Sequence, residues 1–106
     1  MAKAEVIDKV TRYVRLVIQE GIPIQYAFLY GSHARDEANE ESDIDVLLVS
    51  PAFDEWNIKI AGKVWGLTPK VDARIEPYIT GSKKFQTDDV SPLFHIVRRE
   101  GIEIKP

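Results

Sequence analysis

Asp43 and Asp45 stand two residues apart at the head of the run Asp43-Ile44-Asp45-Val46-Leu47-Leu48-Val49, which reads as a β-strand with an acidic start. In a strand such a pair points to one face, with roughly 6–7 Å between Cα atoms at a rise of about 3.3 Å per residue. Two carboxylates at the mouth of an apolar strand repel each other and lose hydration, which raises their pKa values unless a cation offsets the charge. Mg²⁺ would do so. For an isolated Asp-x-Asp, exposed residues leading into a strand are the simpler reading; here the preceding segment shifts the balance. Gly31 breaks an aromatic strand and can take dihedrals closed to other residues, so a ligand can approach its backbone. Ser32 adds a hydroxyl, the N–H groups from Ser32 onward can form a nest or short helix start, and the Arg35 guanidinium is a fork suited to phosphate. A Gly-Ser turn alone is a weak signal, since most such pairs only connect elements.

Two-metal phosphoryl transfer calls for a third acid. Asp72 and Glu76 share a parity on the next strand, but along an extended chain they are about 13 Å apart, so only one can join Asp43 and Asp45. Asp72 is the choice, early in the strand and ahead of Pro77; Glu76 is expected to face solvent or pair with a lysine. A salt bridge from Asp72 to Arg74 is the competing assignment. His33 and His95 read as structural or surface groups, and Trp56 and Trp65 as core or interface aromatics beside a helical stripe. Without cysteine there is no disulfide, thiolate zinc site or cysteine nucleophile, so a metal must rest on oxygen or imidazole, with oxygen preferred.

The elements that must position these groups follow from periodicity. Val6, Val10, Val14 and Val17, widened by Ile7 and Ile18, predict an amphipathic helix over 4–20, ended by Gly21 and Pro23. Strands are expected at 25–30, at 43–49 in a central position, and at 71–79 with a late interruption at Pro77. A second helix over 54–67 should carry Ile60, Val64 and Leu67 inward with its cap near Asp54. Ser91-Pro92 starts a last helix, Gly101 stops it, and 102–105 form a short closing strand. The order αββαβαβ predicts an α/β fold, a mixed β-sheet packed with helices in two layers or a sandwich, using 1–106 as a single domain. Composition agrees: 44% hydrophobic, 29% charged, and apolar runs too short to span a bilayer. The charged beginning, without a signal-like apolar stretch, sets the expected location in the cytoplasm. A net charge of -3 disfavours long nucleic acid as a partner.

Gly31-Ser32-His33-Ala34-Arg35 followed by Ser42-Asp43-Ile44-Asp45-Val46 resembles the Gly-Ser-x-x-Arg … Asp-x-Asp signature of minimal nucleotidyltransferases in the DNA polymerase beta superfamily. The joint pattern is far more specific than either half. Val71-Asp72-Ala73-Arg74-Ile75 resembles the strand that carries the family's third carboxylate, and Ile96 to Ile102 its usual ending, so the likeness covers nearly the whole chain. The acidic stretch 36–41 departs from the family's common glycine-containing turn. The resemblance implies that Ser32 and Arg35, beside Gly31, bind the β and γ phosphates of a nucleoside triphosphate, with ATP as the family-level choice. It implies that Asp43 and Asp45 bridge two Mg²⁺ ions, with Mn²⁺ as an alternative, and that Asp72 binds the catalytic one and helps take the acceptor's proton. The implied reaction moves a nucleoside monophosphate to a hydroxyl and releases pyrophosphate. Minimal members are often antitoxins paired with an all-α HEPN-type toxin that they adenylylate on tyrosine, and such a partner is the expectation here. Two readings stand beside it: a non-catalytic antitoxin or binding module on the same fold, and a small-molecule nucleotidyltransferase completed by a dimer or another chain.

Overall fold

The computed structural model describes residues 1–106. Helix α1 spans Lys3–Gln19 and buries Val6, Val10, Val14 and Val17 as the periodicity predicts, with Tyr13 added to the same face. Gly21, at a left-handed φ of 95°, turns the chain toward strand β1, Tyr26–Tyr30. Strand β2, Ile44–Ser50, follows the site loop, and β3 spans Ile75–Gly81. A two-residue strand β4, Ile102–Glu103, closes the sheet in the order β3-β2-β1-β4. β1 is antiparallel to β2 and β4, whereas β2 and β3 are parallel. The central place expected for β2 is observed, and Val46 to Val49 are buried on both faces, as its unbroken apolar run requires.

Helix α2, Ile58–Gly66, crosses from β2 to β3; α3, Ser82–Thr87, and α4, Pro92–Glu100, follow β3. One face of the sheet, with Ala27, Leu29, Val46, Leu48 and Ile75, packs on α1 and on Val64 and Leu67. The opposite face, with Leu47 and Val49, packs on Phe85 of α3 and Phe94 and Val97 of α4. The mixed α/β class and the helix-covered sheet are as expected, but the order is αββαβααβ. The six-residue α3 is too short to show helical periodicity in the sequence. Tyr13 is fully buried and donates its hydroxyl to the Val64 carbonyl at 2.7 Å, satisfying a group in the last turn of α2.

Three boundaries move for local reasons. The cap of α2 is Asn57, whose Oδ1 accepts from the Lys59 and Ile60 N–H groups at 3.0 and 3.2 Å. Asp54 instead ends a short 3₁₀ turn at Pro51–Phe53 and accepts from the Lys83 N–H at 3.2 Å. The third strand begins four residues later than expected, because Thr68–Lys70 forms another 3₁₀ turn and Asp72 ties itself to the backbone two residues ahead. Pro77 lies inside β3 rather than ending it. The Ile44 N–H donates to the Arg74 carbonyl, so even-numbered backbone groups of β3 face β2 and Pro77 faces the free edge, where no ladder bond is lost. Trp56 and Trp65 are not core: they are 76% and 48% exposed. Replacing Asn57 with Ala should destabilise the protein by about 1 kcal/mol, read from urea unfolding, with no change in the slope of the transition.

Candidate active site

At the end of β1 the chain passes through Gly31 at a φ of 78°, a conformation other residues resist. Space enforces the same choice, since a β-carbon at Gly31 would collide with the Asp45 carboxylate. The turn that follows is nearly helical: Arg35 N–H donates to Gly31 O at 3.1 Å and Glu37 N–H to Ser32 O at 2.9 Å. The N–H groups of Ser32, His33 and Ala34 make no bond within the protein, leaving a run of donors beside Asp45. Asp36, at a φ of 59°, ends the turn. Arg35 is half-exposed and leans on acids, with Nε 3.2 Å from Glu37 and Nη1 3.8 Å from Glu100. His33 is buried and its Nε2 has no partner, unlike the surface position of His95.

Asp43 is exposed just ahead of β2 and Asp45 is half-buried within it. The sheet register sets Tyr30 of β1, Asp45 of β2 and Glu76 of β3 side by side in one row. Burial pushes the Asp45 carboxyl up from its ordinary pKa, and Glu76 and then Asp43 push it further; His33 and Arg35 pull the other way. The Tyr30 phenol reports the same field: burial first, then Asp45, Tyr78 and Glu76 raise it to about 12. Asp43, Asp45 and Glu76 thus form a negative patch of oxygen donors next to the Gly31-Ser32 turn. As they stand, no three acidic or imidazole side chains close into a metal-binding cluster.

Asp72, expected as the third carboxylate, stands ahead of β3 and is engaged by Arg74 and Lys9, whereas the sheet register sets Glu76 beside Asp45. Asp72 sits in the turn before β3, with its side chain only 10% exposed. Its oxygens accept from the Arg74 backbone N–H at 2.9 Å, Arg74 Nε at 3.0 Å, Arg74 Nη2 at 2.6 Å and Lys9 Nζ at 2.8 Å. The Arg74 side-chain bonds above all hold its carboxyl far below the usual carboxylate range. This is the salt bridge weighed against the catalytic assignment. Arg74 also donates to the Glu40 carbonyl at 2.7 Å, so the clamp joins α1, the start of β3 and the loop before β2. The sequence did hold a signal for this outcome: Asp-x-Arg directly after a Pro-containing turn favours a side-chain-capped turn over a strand. Starting the strand after Arg74 brings Glu76 to its first positions.

The family model for the nucleotidyltransferase domain matches residues 11–94, most of the chain. The chain belongs to the nucleotidyltransferase family. A crystal structure described as a candidate nucleotidyltransferase from Sulfolobus solfataricus superposes with a TM-score of 0.65 at 14% identity, covering 95% of this chain and 80% of that one. A toxin–antitoxin structure with AMP-PNP gives 0.60 at 20% identity, over 90% and 72% of the two chains. A doubly substituted MntA–HpeT toxin–antitoxin structure gives 0.60 at 14%, over 90% and 71%. At these identities the likeness shows the fold. No curated protein matches the sequence. As a nucleotidyltransferase domain the chain sets its glycine turn against Asp45, and it has no helix long and apolar enough to cross a membrane.

The two kinds of aspartate should titrate oppositely. With its pKa raised in the fold, Asp45 costs stability when ionised. Asp45→Asn without divalent cation should therefore raise the melting temperature at pH 7 by about 2–4 °C, discounted for solvent screening. That gain should vanish below the ordinary carboxylate value of about 3.9, where the group is protonated in both states. Asp72 has a depressed pKa, so its contribution is full above that value and lost as pH falls below it. Asp72→Asn should cost about 1–2 kcal/mol at pH 7, allowing for screening around the clamp, and progressively less in acid. Thermal unfolding from pH 3 to 8 checks both.

Proposed function

We propose that this domain transfers a nucleoside monophosphate, AMP from ATP, to a hydroxyl acceptor on an all-α partner protein of the HEPN type, in a cytoplasmic toxin–antitoxin pair. The observation that carries the reading is the register of Asp45 with Glu76, beside Asp43 and the unpaired N–H groups after Gly31. Support for ATP and for a partner comes from the fold's likeness to a toxin–antitoxin structure solved with AMP-PNP.

Ser32 and the N–H groups after Gly31 receive the β and γ phosphates, and Arg35 swings from Glu37 and Glu100 onto them. Asp43, Asp45 and Glu76, with Glu76 in the role first expected of Asp72, would hold two Mg²⁺ ions. The all-oxygen donor set and the raised Asp45 carboxyl fit a hard cation, and Asp43, the exposed member, closes in when the charges are neutralised. The bound metal would supply charge neutralisation at the triphosphate and a lower pKa for the attacking hydroxyl. The acceptor oxygen forms a bond to the α-phosphorus while the bond to the bridging oxygen of the β-phosphate breaks. Pyrophosphate leaves, and the hydroxyl proton passes to a carboxylate of the row. The protein's contribution is alignment and electrostatics.

Incubating the protein with α-labelled ATP, Mg²⁺ and the purified partner should label the partner. Glu76→Gln and Asp45→Asn should each lower labelling by about a hundredfold or more, whereas Asp72→Asn should stay within about threefold once its lower stability is allowed for. Loss in Asp72→Asn with retention in Glu76→Gln would restore Asp72 as the third ligand. No labelling, with partner binding that survives Asp43→Ala and Asp45→Ala, would make the domain a binding module. Label on a small molecule instead would make it a small-molecule transferase.

A further inference from the structure

The carboxylate row has two unlike sides. On the β1 side stands the Gly31 turn with its run of unpaired N–H groups, and on the β3 side stands Glu76, with Asp45 between them. Neighbouring strands are about 4.8 Å apart, so the row spans roughly 10 Å across the sheet. A triphosphate held by the turn sends its pyrophosphate off toward β1. Displacement at phosphorus runs with the attacking and leaving oxygens roughly in line. The attacking hydroxyl must therefore come from the β3 side, past Glu76.

The chain carries a hydroxyl of its own there. The parallel register sets Tyr78 beside Leu47, one step on from the pairing of Asp45 with Glu76, so by strand parity Tyr78 shares the face that bears the carboxylates. That step is about 7 Å along β3, within reach of a tyrosine side chain that leans along its strand. Tyr78 is 50% exposed, and β3 is an edge strand, so no strand beyond it limits the ring. Together with Asp45 and Glu76, Tyr78 is among the groups that raise the Tyr30 phenol, so its hydroxyl lies within the field of the row. The other tyrosines are placed differently. Tyr13 is buried and bonded to the Val64 carbonyl. Tyr26 pairs with Val49, four residues beyond Asp45 and about 13 Å along β2. Tyr30 stands on the leaving-group side, and Thr80, next after Tyr78 on the same face, is buried.

We propose that Tyr78 is an acceptor within the chain itself: without a partner, its hydroxyl takes the nucleoside monophosphate from the bound triphosphate. The Tyr78 phenol oxygen forms the bond to the α-phosphorus while the bond to the bridging oxygen of the β-phosphate breaks. Pyrophosphate leaves, and the phenol proton passes to Glu76. A hydroxyl tethered two residues from the row needs no binding step of its own. This rests on the transfer reading above for the chemistry, and on the position of Tyr78 alone for the acceptor.

The full chain, incubated with ATP and Mg²⁺ and no partner, should gain the mass of one AMP. Tryptic cleavage after Arg74 and Lys83 releases Ile75–Lys83, and fragmentation of that peptide should place the adduct on Tyr78. Tyr78→Phe, shown to be folded by its thermal unfolding, should lose the adduct, whereas Tyr26→Phe should keep its rate within about twofold. Glu76→Gln should slow the reaction by about a hundredfold or more, as a product of the chain's own chemistry requires. The rate per chain should be unchanged on about tenfold dilution, because the transfer is intramolecular. An adduct on another residue, or one that persists in Tyr78→Phe, would overturn the proposal. So would a rate per chain that rises with protein concentration, because the acceptor would then belong to a second copy. If the chain stays unmodified while it labels the purified all-α partner, the proposal falls and the transfer reading stands. If neither is labelled, the transfer reading falls with it.

Discussion

The parallel register between β2 and β3 is the constraint on which the site depends. It is set at the mouth of the sheet, where the Arg74 carbonyl takes the Ile44 N–H at 2.8 Å while the Arg74 side chain is locked by Asp72. Moving that rung by one residue would turn Glu76 to the opposite face and leave Asp45 without its neighbour. Asp72 therefore serves the site from a distance. As a partly buried anion satisfied by four donors it holds strand, helix and loop in place.

Around this register the fold stores unfavourable electrostatics on one face and relieves them elsewhere. The interior side of the sheet is a conventional apolar core, and the buried Tyr13 hydroxyl is satisfied by bonding the end of α2. On the other face α3 and α4 cover Leu47 and Val49 but leave the row from Tyr30 through Asp45 to Glu76 accessible, with like charges crowded together. Carboxylates crowded together in this way favour a cation beside them. Gly31 is part of the same arrangement, since its missing side chain is the space the Asp45 carboxylate occupies.

Helix α2 has a comparable logic. A nine-residue helix with glycines at positions 62 and 66 is weak by propensity, and its Asn57 cap and inward Val64 compensate. Its outer side, with Ile58 and Trp65, stays exposed beside the edge of β3.

Much of this was legible in the sequence because it is local. The valine spacing of α1, the apolar run of β2, the Ser91-Pro92 start and the Gly101 stop each encode an element within a few residues. The Gly31-Ser32 turn and the Asp43/Asp45 pair likewise follow from dihedral freedom and strand parity. Which acid of the third strand stands beside Asp45 was only partly legible. Choosing between Asp72 and Glu76 depends on where β3 begins and which residue it sets beside Asp45, and both are decided by Lys9 and Ile44, partners distant along the chain. The exposure of Trp56 and Trp65 was hidden for the same reason. Residue type and spacing determine which side chains share a face; only the packing of α2 against the sheet decided which of its two apolar stripes is core and which is left exposed.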